Sequence, residues 1–87
     1  MRLMWLSEAW EEYLYWQKQD PKTLERINTI IKETRRQPFT GIGKPEPLRS
    51  NLTGWWSRRI TREHRLVYRV ENDMLIIMQC RFHYSDK

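Results

Sequence analysis

Residues 74–84, with the sequence MLIIMQCRFHY, constrain the fold of this chain more than any other segment. The run is rich in β-branched and long aliphatic side chains, which predicts a strand covered on at least one face. It ends in Arg81, His83 and Tyr84: a permanent cation, an imidazole that titrates near neutrality, and a ring with a hydroxyl. A core strand that ends in such groups predicts both an anchor for the fold and a functional site at its tip.

The length of 87 residues predicts one domain spanning 1–87, with a modest core to which large side chains contribute much of the burial. The only cysteine, Cys80, excludes an intrachain disulfide, and its place in an apolar strand predicts a buried thiol. The first apolar run is too short for a signal peptide, and no uncharged stretch approaches the length of a bilayer. We therefore expect a cytoplasmic protein without a membrane partner.

The positive charge of the chain is concentrated in one region. Sixteen Lys and Arg stand against eleven Asp and Glu, a net charge of +5, and Arg is the commoner cation. Arginine favours phosphate and carboxylate partners because its planar fork binds them in a bidentate way. Nucleic acid is therefore the leading partner class. The cations of the central region are Lys44, Arg49, Arg58, Arg59, Arg62, Arg65 and Arg69. Two of these, Arg58 and Arg62, we expect simply to solubilise the surface.

The first 36 residues predict a short strand and two helices. Residues 1–6 predict the strand, and Ser7 is a candidate N-cap for a first helix that runs to about Lys18. The apolar face of this helix is broad, so part of it could contact a partner, although packing explains any single residue equally well. Asp20 and Pro21 predict the start of a second helix, which Gln37-Pro38 ends.

Residues 37–47 contain three prolines and two glycines and predict a loop. No Gly-Lys-Ser/Thr follows, so this is not a phosphate-binding P-loop. Glu46 lies in this loop between Pro45 and Pro47. Because proline fixes its own φ, the backbone that carries this carboxylate should be stiff.

The remaining residues predict antiparallel strands at 55–61, 65–70 and 74–84. A loop at 71–73 would place Leu66, Tyr68 and Val70 on one face with the even-numbered residues Met74, Ile76, Met78 and Cys80. Arg65 and His83 would then share the opposite face. The predicted fold is α+β, with two N-terminal helices packed on one face of a small, mainly antiparallel sheet.

Glu46, Arg65 and His83 together suit RNA cleavage by transesterification. The reaction needs a base for the ribose 2′-OH, a cation for the phosphoryl oxygens and an acid for the leaving 5′ oxygen. It needs no metal or cofactor, and the sequence offers no clustered metal ligands. Tyr84 could stack on a base or act as a second proton donor. The further phosphate-binding candidates are Lys44, Arg49, Arg59 and Arg81. Solvated surface is the alternative for Glu46, Arg65 and His83, and a terminal residue that closes the sheet is the alternative for Tyr84. For His64 a structural or solvent-exposed role is favoured.

Several motifs resemble those of the YoeB/Txe toxins of the RelE superfamily, and the likeness covers nearly the whole chain. They are YLYW (13–16), GKPEPL (43–48), GWWSRRI (54–60), EHRLVY (63–68) and CRFHY (80–84). The resemblance implies a RelE-like, microbial-RNase-like fold. It also implies an mRNA endonuclease that acts in the ribosomal A site and stops translation.

In that family the residues that match Glu46, His83 and Arg65 are the general base, the general acid and the phosphate stabiliser, and the match to Tyr84 belongs to the active site. The resemblance also implies inhibition by a YefM/Axe-like antitoxin, a homodimer, and contacts with the bacterial ribosome, its mRNA and its rRNA. The chain has no helix-turn-helix signature, so operator DNA would be contacted through the antitoxin.

Two positions depart from the family pattern. Arg49 stands where relatives often have lysine, which keeps the charge but changes its geometry. The tail Ser85-Asp86-Lys87 follows the tyrosine at which relatives often end. The alternative function is a non-catalytic RNA or ribosome-binding module that blocks translation by occupancy.

Overall fold

Two α-helices and five strands make up most of the computed structural model, which describes residues 1–84. The elements in chain order are β1 (Arg2–Trp5), α1 (Ser7–Gln19), α2 (Pro21–Arg36), β2 (Glu46–Pro47), β3 (Trp56–Arg59), β4 (Arg65–Glu71) and β5 (Met74–Gln79). A single 3₁₀ turn, Ser50–Leu52, follows β2. The tail from Ser85 to Lys87, singled out in the sequence, lies outside the described residues.

The five strands form one sheet in the order β1-β5-β4-β3-β2. β1 runs parallel to β5, and the other neighbours are antiparallel. Both helices cover one face, where residues of α1 and α2 meet those of β4 and β5. The predicted α+β architecture is therefore confirmed. The fully buried members of this core include Ala9, Ile27, Ile30, Leu66, Tyr68, Leu75, Ile77 and Cys80.

The two helices begin in different ways. Ser7 was expected to cap α1, but it is the first helical residue and Leu6 occupies the cap without a side-chain hydrogen bond. The reason is that Leu6 still belongs to the sheet, where its N–H donates to the carbonyl of Ile77 at 2.9 Å. At α2 the prediction is confirmed: Asp20 accepts hydrogen bonds from the backbone N–H and the hydroxyl of Thr23, and Pro21 follows.

The predicted register between β4 and β5 is wrong by one residue. Glu71 pairs with Met74, so the hairpin turn contains only Asn72 and Asp73, at φ 50° and 57°. Two left-handed residues are what a tight type I′ hairpin turn requires, and Asn and Asp tolerate that conformation. Leu75 and Ile77 therefore face the helices, not the predicted Met74, Ile76 and Met78.

A β-bulge near the end of β5 then shifts the alternation of side chains between the two faces of the sheet by one residue. Tyr68 pairs with Ile77 and Val67 pairs with Gln79, which leaves Met78 as the extra residue. Cys80 thereby returns to the helix-covered face, as predicted, and is fully buried. Its environment raises the pKa of the thiol to about 12, chiefly through burial, so the thiol is unreactive.

Arg58 is buried, although it was predicted to lie on the surface. Its guanidinium donates to the carbonyl oxygens of Gln37, Thr40 and Ile42, and its Nε donates to the hydroxyl of Tyr68. These bonds compensate the desolvation of the charge and fasten the loop after α2 to the sheet. No helix among the described residues is both long and apolar enough to cross a membrane.

Candidate functional site

The face of the sheet that the helices leave open carries a polar cavity. Strand alternation builds its floor: Ser57 and Arg59 of β3 point away from the buried Arg58, and their partners across the sheet are Glu46 and Arg65. The residues that line the cavity are Gly43, Lys44, Glu46, Ser57, Arg59 and Arg65. It therefore brings together one carboxylate and three cations from the candidates identified in the sequence.

Glu46 lies on the short edge strand β2, not in a loop as predicted. It pairs with Ser57, and the strand continues through Pro47 opposite Trp56. Proline is tolerated here because an edge strand has one unpaired side. The N–H of the buried Leu48 donates to the carbonyl of Trp55 at 2.9 Å and fixes the strand beyond the proline. The backbone that carries the carboxylate is thus held by the sheet as well as by its two prolines.

The loop before β2 reaches the cavity through a close approach at Gly43. The carbonyl of Gly43 accepts the N–H of Arg59 at 2.7 Å, and a Cβ at this glycine would lie 3.1 Å from the Cβ of Arg58. The φ of +81° also favours glycine. This contact places Lys44 beside β3, although Lys44 lies in the predicted loop and β3 comes later in the sequence.

Tyr84 connects the end of the described chain to the cavity. Its hydroxyl donates to Oε1 of Glu46 at 3.2 Å and accepts from the hydroxyl of Ser57 at 3.5 Å. Sequence reasoning did not select Ser57. The signal was present, because Ser57 and Arg59 are two residues apart on one strand and must share a face.

The guanidinium of Arg65 is held in place by backbone carbonyls. Its Nη1 donates to the carbonyl oxygens of Thr61, Arg62 and His64 at 2.9, 3.3 and 3.1 Å. These bonds occupy one nitrogen and restrict the side chain, while the residue still lines the cavity. A guanidinium fixed in this way can meet a phosphate without first losing much conformational freedom.

The other candidates lie around or away from this cavity. Arg49 lines a neighbouring depression that also includes Glu46 and Tyr84, so the two depressions share Glu46. His83 is exposed and does not line either depression. Arg81 turns toward α1, where its guanidinium lies 3.6 Å from the ring centroid of Tyr15. The structure thus places Glu46 and Arg65 in one cavity, whereas His83 is linked to that cavity only through its neighbour Tyr84.

Side chains of α1 hold the end of β5 from the opposite face. Glu12 accepts the N–H of Cys80 at 2.8 Å, and the indole N–H of Trp16 donates to the Cys80 carbonyl at 2.9 Å. Burial raises the pKa of Glu12, and the Cys80 hydrogen bond partly opposes that effect. These two hydrogen bonds fix the backbone at Cys80, where the segment that leads to His83 and Tyr84 begins.

The chemistry of the cavity suits a phosphodiester. Lys44, Arg59 and Arg65 supply positive charge, and Glu46 supplies a carboxylate that can accept a proton. Within residues 1–84 no group of three or more His, Cys, Asp or Glu side chains is placed to hold a metal ion.

Comparisons with known proteins identify the family. The profile of the "YoeB-like toxin of bacterial type II toxin-antitoxin system" family matches residues 5–84. "Toxin YoeB" of Escherichia coli O6:H1 is 61% identical over 84 residues, which are 97% of this chain and 100% of that protein.

Solved structures agree. The "YoeB/ParE toxin from Agrobacterium tumefaciens" is 50% identical with a TM-score of 0.94, and the match covers 97% of this chain and 100% of that one. A Staphylococcus aureus YoeB has been solved in a heterotetrameric complex with YefM and as a dimer; each structure is 45% identical over 97% of this chain and 98% of that one, with TM-scores of 0.89 and 0.90. This chain therefore belongs to the YoeB-like toxins of bacterial type II toxin–antitoxin systems.

Proposed function

We propose that this toxin is a ribosome-dependent endonuclease that cleaves mRNA in the ribosomal A site by metal-independent transesterification. The observation that carries the proposal is the shared cavity on the open face of the sheet, where Glu46 lies with Arg59 and Arg65. A base and two guanidiniums around one space are what an attacked phosphodiester requires. Membership of the toxin family supports an activity that stops growth.

In the proposed reaction Glu46 removes the proton from the 2′-OH of the ribose. The 2′ oxygen attacks the adjacent phosphorus, and the bond from phosphorus to the 5′ oxygen breaks. The guanidiniums of Arg65 and Arg59 stabilise the charge that develops on the phosphoryl oxygens. His83 donates a proton to the 5′ oxygen as it leaves. The products are a 2′,3′-cyclic phosphate and a 5′-hydroxyl.

The exposed His83 suits the role of the acid, because the 5′ oxygen leaves on the side of the phosphorus opposite to the 2′ oxygen. An acid that approaches from solvent can meet it there once RNA fills the cavity. Catalytic contacts in a free enzyme often shorten only when substrate binds. Tyr84, bonded to Glu46, would orient the base and offer a ring for base stacking.

The ribosome fits as the partner that presents the mRNA. The net charge of +5 favours association with RNA. Lys44 in one depression and Arg49 in the other lie on either side of Glu46, where they can hold the phosphates that flank the cleaved bond. Arg81 lies against Tyr15, and from that position it would contact RNA or rRNA outside the cavity. A cytoplasmic location follows from this proposal.

Two protein partners belong to the proposal. A YefM-like antitoxin would neutralise the toxin by covering the cationic cavity, and operator DNA would be bound through that antitoxin. A homodimer would bury the apolar side chains that β1 and α1 leave exposed, among them Met4 and Trp10 at 43% each. Sedimentation equilibrium of the purified toxin, with Trp10→Ala as the comparison, tests the dimer.

A purified translation system tests the function directly. The wild-type protein should stop translation and leave new mRNA 5′ ends within the codon in the A site, whereas Glu46→Gln should leave the message intact. Arrest without any cut mRNA would instead show that the protein acts by occupying the ribosome.

A further inference from the structure

Phe82 has a backbone conformation that a bulky residue rarely adopts. Its φ is +67°, in the left-handed region, and its side chain is 54% exposed, so burial of the ring does not explain the conformation. Such outliers persist where surrounding contacts determine them, and they concentrate at functional sites. The next two residues are His83 and Tyr84.

His64 and Arg65 hold the two polar groups of the Phe82 backbone. The N–H of Phe82 donates to Nδ1 of His64 at 2.8 Å, and the carbonyl of Phe82 accepts from the N–H of Arg65 at 3.0 Å. The side-chain amide of Gln79 donates to the same carbonyl at 3.1 Å. Of these contacts, only that with His64 involves the N–H and so holds the peptide plane before Phe82, and φ is the rotation between that plane and the rest of the residue.

The His64 ring is itself fixed by α1. It packs edge-on against Trp16, with centroids 4.9 Å apart and planes at 77°, and Trp16 is anchored to the Cys80 carbonyl. Because Nδ1 accepts a hydrogen bond from a backbone N–H, the neutral ring carries its proton on Nε2. His64 does not line the cavity of Glu46 and Arg65, so it can influence the reaction only through other residues.

We propose that His64 is a positioning residue, whose Nδ1 holds Phe82 in the left-handed conformation and thereby directs Tyr84 toward the cavity and orients its neighbour His83. This inference rests on the proposed nuclease function for its kinetic consequence, but not for its structural one. Without the bond to Nδ1, Phe82 relaxes to a negative φ, and the chain beyond it takes a different direction. The Tyr84 hydroxyl then loses its hydrogen bond to Glu46, and the His83 side chain changes its orientation.

Two substitutions separate the acceptor from the ring. His64→Phe keeps an aromatic ring against Trp16 but removes the acceptor, whereas His64→Asn loses the ring but keeps an acceptor near the position of Nδ1. We expect His64→Phe to lower the single-turnover cleavage rate about 100-fold, as misplacement by about 1 Å can do, with ribosome binding retained. His64→Asn should keep most of the activity.

Phe82→Gly supplies the rescue. Glycine adopts a positive φ without strain, so the double variant His64→Phe/Phe82→Gly should recover most of the rate that His64→Phe loses. A purely structural role of His64 would not be rescued at this position. If His64→Phe does not fold, His64→Gln takes its place in the experiment. The side-chain oxygen of glutamine lies beyond the position of Nδ1, so it does not replace the bond to Phe82.

Amide hydrogen exchange provides a readout that does not depend on cleavage. The Phe82 amide should be protected in the wild type and in His64→Asn, and should exchange faster in His64→Phe. A wild-type protein that protects this amide but never cuts mRNA would refute the nuclease and leave the positioning intact. Unchanged protection in His64→Phe, wild-type cleavage by that variant, or a double variant as slow as His64→Phe would each overturn the positioning role.

Discussion

The hydroxyl of Tyr84 donates to Oε1 of Glu46 at 3.2 Å, although the two residues are 38 positions apart in the sequence. This bond joins the end of the described chain to the edge strand of the sheet. It also explains how a tyrosine next to the exposed His83 contributes to a cavity whose other residues come from the central cationic region. The carboxylate is thus oriented by its backbone strand and by a phenol.

Tyr84→Phe should separate two effects on cleavage: the orientation of the Glu46 carboxylate and the proton transfer to it. The substitution keeps the ring but removes the hydroxyl, so we expect cleavage to fall about 10-fold with unchanged ribosome binding, in keeping with a modest hydrogen-bond contribution. Glu46→Gln removes the base and should cost about 100- to 10,000-fold. Single-turnover kinetics on programmed ribosomes measure both. Equal losses in the two variants would show that Tyr84 does more than orient Glu46.

Arg58→Met should destabilise the protein strongly. The buried guanidinium donates to three part-buried carbonyls and to the buried Tyr68 hydroxyl, and its loss leaves all of these acceptors without this donor. We expect the free energy of unfolding to fall by about 3–5 kcal/mol, measured by urea denaturation. Arg62→Met is the control: Arg62 is exposed, and its substitution should change stability by about 0.5 kcal/mol or less. Comparable losses for the two would refute the structural role of Arg58.

The sequence was sufficient for the order of elements because the helix and strand patterns are long and regular. It failed at Arg58, since charged residues are seldom fully buried and nothing local reports that three distant carbonyls need donors. It also placed Glu46 in a loop, because two flanking prolines hide a strand that exists only through pairing with β3.

The β4–β5 hairpin shows a different kind of failure. A three-residue loop and a two-residue turn differ by one residue, and that difference exchanges the faces of the following strand. Asn72 and Asp73 carried the signal for the tight turn, but the bulge at Met78 had none. The bulge restored the predicted face of Cys80, so the prediction there was right although the register leading to it was wrong.

Gly43→Ala should weaken both the fold and the site. A methyl group at this position meets the Arg58 side chain and the Arg59 backbone within 3.2 Å, and φ is +81°. We expect a loss of about 2 kcal/mol or more in unfolding free energy, from backbone strain and crowding together, with slower cleavage as Lys44 shifts. Gly54→Ala is the matched control, because its φ is +98° but its nearest contact is at 3.7 Å. A smaller loss at Gly43 than at Gly54 would contradict this account.

His64 should make the stability of the toxin depend on pH. Burial lowers the pKa of His64 from its ordinary value of 6.5, so the unfolded chain binds its proton more readily than the folded one. The contribution of neutral His64 is therefore complete above pH 6.5 and decreases as the pH falls through its lowered folded-state pKa. The melting temperatures of the wild type and of His64→Asn should differ above pH 6.5. The difference should shrink as the pH falls through the folded-state pKa of His64.

The comparison of wild type with His64→Asn isolates the contribution of His64 from those of the groups around it. Its charged and titratable neighbours are Glu63, Arg65, Arg81 and His83, and the histidine substitution leaves all of them in place. Glu12 has the opposite sign: its pKa is raised from 4.5, so its contribution is present at lower pH and is lost as the pH rises through the folded-state pKa. The difference between wild type and His64→Asn removes this background. A difference that stays constant from pH 5 to 8 would contradict the assignment.

The most direct test of the central claim is the chemistry of the RNA ends that the toxin creates. Attack by the 2′-OH must leave a 2′,3′-cyclic phosphate and a 5′-hydroxyl, so the downstream fragment should accept labelled phosphate from polynucleotide kinase without prior dephosphorylation. His83→Gln should abolish this labelled fragment while still binding ribosomes, because it removes the acid and leaves the cationic cavity. A downstream fragment that carries a 5′-phosphate, or full cleavage by His83→Gln, would contradict the proposed mechanism.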